Sequence, residues 1–294
     1  MGKTKVKESK KPLTLSKVVV YILLILLAIT IIIPVGWVFV ASVKQNSEFY
    51  GSPWVLPEKI YFQNFIDAWE KASMGTYMLN SVIVTALALL LLIVISLPAA
   101  YVLSRKNVMW KKPLMIFIMI TMFFSGGLIP TYLNLKDLHL NNTLWGLIIP
   151  WLINTFNMII MRTAFESIPD SLIEAAQIDG ATHWRILRSI VLPLSKATIA
   201  VMVLYYGVEK WNGWFWASAL IRDRGKLPLQ VILREILLSS TQSMQTGAGS
   251  SDTEAIGVTI RYATTIVATV PILCVYPFIQ KYFTKGVMIG AVKE

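Results

Sequence analysis

Charge is the property this sequence has least of. Asp, Glu, Lys and Arg make up 15% of its 294 residues, while 55% are hydrophobic and the mean hydropathy is +0.62. A water-soluble domain carries charge on about a quarter of its positions. That leaves too little charge to coat a soluble globule of 33.0 kDa. The same scarcity excludes a disordered chain, which is charge-rich and poor in apolar residues. Cys274 is the only cysteine, so no disulfide framework exists. With only His139 and His183 beside it, a structural metal site lacks ligands. There is no G-x-x-x-x-G-K-[ST] run, no H-E-x-x-H and no G-x-S-x-G, so the chain is read as performing no chemistry of its own. What remains is an integral membrane protein.

A helix crosses the hydrocarbon core with about 20 apolar residues. Runs between charges give six candidates: 18–43, 78–104, 113–135, 138–161, 197–221 (interrupted by Glu209 and Lys210) and the stretch between Arg261 and Lys281. No segment shows the strict alternation of a β-barrel strand. The first run is too long for a signal-peptide core and no small-x-small site follows it, so it reads as a retained anchor. Basic loops stay in the cytoplasm. With both termini inside, the inner segments hold 17 basic and 6 acidic residues, and the outer segments 8 and 9. The basic pI is thus explained by orientation, without nucleic acid. The expected fold class is an all-α integral membrane protein of six transmembrane helices with both termini cytoplasmic. A basic tail covers 1–17, a transmembrane domain 18–283 and a C-terminal tail 284–294. The tail 1–17 is read as disordered and held near anionic lipid by its lysines.

The inner loop 164–196, between spans four and five, has its own helical grammar. Pro169 and Asp170 suit the first turn of a helix, Leu172, Ile173 and Ala176 follow at helical spacing, and Gly180 ends it by accepting positive φ. A second short helix is expected over 182–191, ended by Pro193.

Glu174-Ala175-Ala176, then Asp179-Gly180-Ala181, then eight residues, then Ile190-Val191-Leu192-Pro193 resembles the EAA loop of binding-protein-dependent ABC importer permeases. The tail Gly286-Val287-Met288-Ile289-Gly290-Ala291-Val292-Lys293 resembles that of carbohydrate-uptake permeases similar to the smaller maltose-transporter membrane subunit. Within that group the chain looks closest to oligosaccharide permeases for polysaccharide-degradation products. The resemblance implies that Glu174, Ala175, Ala176, Asp179, Gly180, Ala181, Leu192 and Pro193 belong to a coupling helix and its flanks, seated in a cleft of an ATPase. It also implies the partners: a second homologous permease, two ATPase subunits carrying ATP and Mg, an extracellular solute-binding protein and an oligosaccharide. No cofactor is expected on this chain, and the expected location is the bacterial cytoplasmic (inner) membrane, multi-pass.

Charged groups inside a span usually face a cavity or each other. Glu209 and Lys210 lie roughly 20 Å above the inner boundary at helical rise. On a continuous helix Tyr206, Lys210 and Trp214 share one stripe, and Tyr205, Glu209, Asn212 and Trp216 another. Aromatic faces beside hydrogen-bonding groups suit a sugar. Asn154 and Asn157 on span four are further candidates for the pathway. The plainer readings are an interfacial aromatic belt for Trp211, Trp214 and Trp216, and helix glue for the asparagines. In the outer loop 222–254 an amphipathic helix is expected over 227–238, followed by a flexible turn. By resemblance, Gln245, Thr246, Gly247 and Gly249 there touch the binding protein. Three rivals stand beside this reading. One is a same-family permease for glycerol phosphate, with Lys210 and Arg261 neutralising the phosphate. Another is an intramembrane enzyme using Glu209 and His139. The third is an ATP-independent carrier.

Overall fold

The computed structural model describes residues 15–51, 55–71, 73–246 and 251–291, and among them only helices, turns and loops occur, with no strand. Among the described residues three helices are long and apolar enough to cross a membrane: α1 (Leu15–Ser42), 74–104, and Val258–Phe278 within a longer C-terminal helix. Three bent pairs bring the total to as many as six by length and composition. Along α1 the side chains from Leu15 to Phe39 are largely exposed, as expected where the solvent is hydrocarbon rather than water.

Two short helices follow, α2 (Asn46–Gly51) and α3 (Gln63–Lys71), and then α4 (Met74–Ser104). Within α4 residues Leu92–Ser96 widen into a π turn. Pro98 explains this, since a proline ring collides with the carbonyl four residues earlier and the wider turn relieves it.

The expected third span is two helices, α5 (Lys111–Phe123) and α6 (Leu128–Asp137), bent by 114°. Gly127 at φ +86°, a conformation reserved for glycine, makes the break, so 113–135 is not one straight crossing. The fourth is α7 (Trp145–Trp151) and α8 (Thr155–Glu166), bent by 51°. It starts seven residues later than the sequence suggested. The inner loop follows as α9 (Asp170–Ile178) and α10 (His183–Leu194). The expected fifth span is α11 (Lys196–Trp211), which stops ten residues short of the expected end, and α12 (Phe215–Leu220) is separate. Next come α13 (Leu229–Thr246), which starts after Pro228, and α14 (Ser251–Ala291).

The C-terminal part of α4 packs on α8, α11 packs on α4 and α14, and α14 also contacts α1, α3 and α13. Two apolar cores result. One holds Met74, Tyr77, Trp211, Leu220, Leu229 and Ala263; the other, beside the inner loop, holds Leu92, Tyr101, Met161, Phe165, Ile186 and Met202. Apolar contact drives little helix association inside a bilayer, so interhelical hydrogen bonds matter, each worth about 0.6 kcal/mol on average. Asn64 is the clearest. Its Nδ2 donates to the carbonyls of Ser42 (2.9 Å) and Lys44 (2.8 Å), and its Oδ1 accepts from Thr259 Oγ1 (3.2 Å), tying α1, α3 and α14 together. Trp211 belongs to this packing. It is buried, and its Nε1 donates to Ala268 O at 3.2 Å, so it is a core residue and not part of an aromatic belt.

Candidate functional site

Two regions gather the residues that the sequence singled out. The first is the loop 164–196, expected on the inner side. Pro169, with ψ at 130°, precedes α9 rather than opening its first turn, and Asp170 is the first helical residue. A carboxylate there faces the helix's positive end. The C-terminus is a Schellman turn: Gly180 N–H donates to Gln177 O (3.0 Å) and Ala181 N–H to Ala176 O (2.9 Å), with Gly180 at φ +76°. Ile173 is buried in the inner core, and Ala176 and Ala181 pack against it. Glu174, Ala175, Asp179 and Gly180 face outward, beside Ile178 at 86% exposure and Trp184 at 65%. One side of the loop is thus bolted inward, while the other offers a carboxylate amid small and apolar surface.

In α10, residues Leu187–Val191 form a second π turn ahead of Pro193, repeating the arrangement before Pro98. Pro193 does not end this helix, as the sequence suggested. The chain turns two residues later at Ser195, through 86° into α11. Leu192 packs on the inner core and Pro193 is exposed.

Side chains at the end of α4 hold this loop. The Tyr101 hydroxyl and His183 Nδ1 share a hydrogen bond at 3.2 Å. Arg105 Nη2 donates to Phe165 O (2.6 Å), and Arg162 Nε donates to Leu103 O (3.1 Å). Glu166 joins Arg162 (2.7 Å) and Lys111 (3.1 Å), and Lys106 joins Asp170 (2.6 Å). Arg162–Glu166 is a local pair four residues apart, but spacing within the loop carries no sign of the other partners, which lie 55 to 82 positions away.

The second region is a cavity of about 330 Å³ between α4, α7, α11 and α12, roofed by the turn before α13. Ser81, Leu147, Trp151, Glu209, Lys210, Asn212, Trp214, Trp216 and Pro228 are among its lining residues. Lys210 Nζ stands 5.7 Å from the Trp151 ring centre and donates to Leu147 O at 3.5 Å. The Trp151 and Trp216 rings lie 4.9 Å apart. The guanidinium of Arg234, on α13, stacks 3.3 Å from the centre of the Trp214 ring.

Four of the pathway residues proposed from sequence therefore meet here: Glu209, Lys210, Asn212 and Trp214. The other four do not line the cavity. Tyr206 is buried, its hydroxyl accepting from Asn154 N–H (2.8 Å) and donating to Asn154 O (3.4 Å). Asn154 Oδ1 caps α8 by accepting from Asn157 N–H (3.2 Å), and Asn157 is buried. Tyr205 points away and is exposed. The helical stripes fail because α11 ends at Trp211, so Trp214 and Trp216 belong to another element. Trp151 and Arg234 were missed; a tryptophan directly after Pro150 in a broken span was the available signal for the former. Neither Arg261 nor His139 lines this cavity, so the pairings expected for a phosphate or for intramembrane acid–base chemistry do not form there.

The roof is held by two asparagines. Asn142 Oδ1 accepts from the N–H groups of Arg222 (3.0 Å) and Asp223 (2.9 Å), and Asn80 Nδ2 donates to Gly225 O (2.8 Å) and Leu227 O (3.1 Å). Ser81 Oγ accepts from Leu229 N–H (2.9 Å). Further along, Gln245 and Thr246 close α13, but their side chains, like Gly247 and Gly249 as a whole, lie outside the described residues.

Comparison with known proteins places this architecture. The chain is 38% identical over 279 residues to the polygalacturonan/rhamnogalacturonan transport system permease protein YtcP of Bacillus subtilis, covering 93% of this chain and 96% of that one. It is 32% identical over 272 residues to the diacetylchitobiose uptake system permease protein NgcG of Streptomyces coelicolor, covering 91% and 86%. Its fold matches a chain in the crystal structure of a bacterial ABC transporter involved in the import of the acidic polysaccharide alginate, with TM-score 0.80, 31% identity and coverage of 90% and 95%. Residues 73–289 match the family model described as binding-protein-dependent transport system inner membrane component, and the chain belongs to that family as a multi-pass permease subunit of an ABC importer.

Proposed function

We propose that this permease passes an oligosaccharide from an external solute-binding protein into the cytoplasm, driven by ATPase subunits that grip the inner loop. One observation carries the sugar: a single cavity brings three tryptophans, Trp151, Trp214 and Trp216, against Glu209, Lys210 and Asn212. Pyranose C–H faces stack on indole rings, while hydroxyls need charged or amide partners. The named relatives and the alginate importer handle sugars, which supports the same reading.

The inner loop supplies the drive. Its exposed surface around Glu174, Ala175, Ile178 and Trp184 is the docking face for an ATPase, and the Gly180 turn fixes its shape. Leu192 and Pro193 lead the movement into α11. ATP and Mg bind on two ATPase subunits, and a second permease completes the pathway. Both termini and the loop 164–196 face the cytoplasm, with six crossings in all. Gln245, Thr246, Gly247 and Gly249 form the contact with the binding protein. A loop of this size drives alternate access when the two packings of the spans differ by a few kcal/mol.

The test is reconstitution of the whole importer in lipid vesicles with ATP enclosed and the binding protein outside. ATP-dependent uptake of labelled oligosaccharides is expected. Uptake of glycerol 3-phosphate with none of any oligosaccharide would overturn the sugar reading, and uptake sustained without ATP would overturn the ABC coupling.

A further inference from the structure

We infer that the cavity selects an acidic oligosaccharide, with the carboxylate of a uronic acid unit received by Lys210 and Arg234 and its ring stacked on the tryptophans. This rests on the sugar reading of the same cavity and goes beyond it by naming the sugar's charge and the side chains that read it.

Lys210 is a half-buried cation whose ammonium has three donors. One reaches Leu147 O, at the long distance of 3.5 Å, and the Trp151 ring lies beside it. Arg234 is exposed above Trp214. The carboxylates of the roof are already engaged elsewhere: Asp223 with Lys226 at 3.3 Å and Glu235 with Arg224 at 3.0 Å. Among the described residues, no carboxylate lies within ion-pair distance of Lys210 or Arg234. Glu209, the one acid of the lining, points about 100° away from Lys210 around α11 and is exposed. Its place at the mouth suits a sugar hydroxyl.

Lys210 thus lies beside Trp151 within the cavity, and Arg234 reaches from α13 over Trp214, a lining residue of the same cavity. A neutral sugar would fill the cavity and leave only the Glu209 carboxylate, outside ion-pair distance, to act on Lys210. A uronate fills it and supplies two oxygens to the ammonium and guanidinium. Charge-assisted hydrogen bonds of this kind are the strong ones, and the half-buried setting of Lys210 strengthens its own further. At about 330 Å³ the cavity is at the small end of ligand sites, matching a unit or two of a chain rather than a long oligomer.

The complete importer in vesicles, with its own binding protein, tests this on three substrates: trigalacturonate, its fully methyl-esterified neutral form, and glycerol 3-phosphate. Wild type is expected to take up the free acid in preference to the ester. Lys210→Gln is expected to shrink that acid-to-ester ratio about tenfold, the loss of one charged hydrogen bond. Lys210→Arg should keep the ratio, showing that charge and not packing is read, and Arg234→Gln should lower it in the same direction. An unchanged ratio in both glutamine variants, or a wild type that prefers the ester, overturns the inference while leaving sugar import intact. Uptake of glycerol 3-phosphate alone, or of none of the three, overturns it, and the sugar reading falls with it only if no other oligosaccharide is taken up either. A Lys210→Gln complex that fails to assemble hands the decision to Lys210→Arg and Arg234→Gln.

Discussion

Lys106 Nζ lies 2.6 Å from Asp170 Oδ2, joining the chain just past α4 to the first residue of α9. The hydrogen bond between them raises Lys106 above its ordinary 10.5 and lowers Asp170 below its ordinary 3.8, with the opposite charge adding to each shift. The contribution of Asp170 is present above the ordinary carboxylate range and fades only as pH falls through its lowered value. The contribution of Lys106 is present below the ordinary lysine value and fades only as pH rises through its raised one. Coupling through this pair is therefore expected to be flat across neutral pH. Both side chains are well exposed, so the pair orients α9 more than it stabilises the fold. Lys106→Asp should lower uptake per ATP hydrolysed, and adding Asp170→Lys should restore it. Strong salt should mimic the single variant, because a Debye length of about 3 Å at 1 M screens an exposed pair. Failure of the exchanged pair to recover would assign Asp170 to the positive end of α9 alone.

Gly180 is the sharpest point of the loop. Nothing lies within 4 Å of where a β-carbon would stand, so substitution there is limited by φ +76° and not by space. A β-branched residue in that conformation costs about 1–2 kcal/mol, and the loop can escape the cost by unwinding the Schellman turn. Gly180→Val is expected to abolish sugar-stimulated ATP hydrolysis in the complete importer while leaving the membrane bundle folded. Normal stimulation in that variant would remove the turn from the coupling path.

The parts of this structure legible in the sequence are those set by local rules. The uncharged run 18–43 became α1, and Gly180 took the positive φ that a helix end invites. What stayed hidden depends on distant partners or on where a helix stops. The stripe joining Tyr206, Lys210 and Trp214 assumed a helix through 214, but α11 ends at Trp211 and turns Trp214 toward Arg234, 20 positions later. Asn154 and Asn157 were readable as polar, but whether they face a cavity or a helix end depends on the break between α7 and α8. The clamps of Asn64, Asn80 and Asn142 have no local signature, because their partners are groups of other elements, nearly all of them backbone.

Tyr206 separates packing from substrate contact. Its hydroxyl satisfies Asn154 N–H at the bend between α7 and α8. Tyr206→Phe leaves that half-buried donor without its partner, at about 1 kcal/mol or more. The expected result is a lower melting temperature of the purified complex with an unchanged half-saturating sugar concentration. A shifted half-saturation at unchanged melting temperature would return Tyr206 to the sugar pathway.

Asn142 is held at φ +55° while its side chain accepts two N–H groups from the roof of the cavity. Backbone and side chain can be tested apart. Asn142→Gly relaxes the backbone and removes the acceptor, whereas Asn142→Asp keeps an acceptor in the same place. At about 1 kcal/mol for each lost bond, the glycine variant should open the segment around Arg222 and Asp223 to amide hydrogen exchange roughly tenfold or more faster, with the aspartate variant close to wild type. The roof closes the cavity from one side, so the glycine variant should also raise ATP hydrolysis in the absence of sugar. Faster exchange without that rise would make the clamp a fold element only, and equal exchange in all three proteins would show that Asn80 and Ser81 hold the roof unaided.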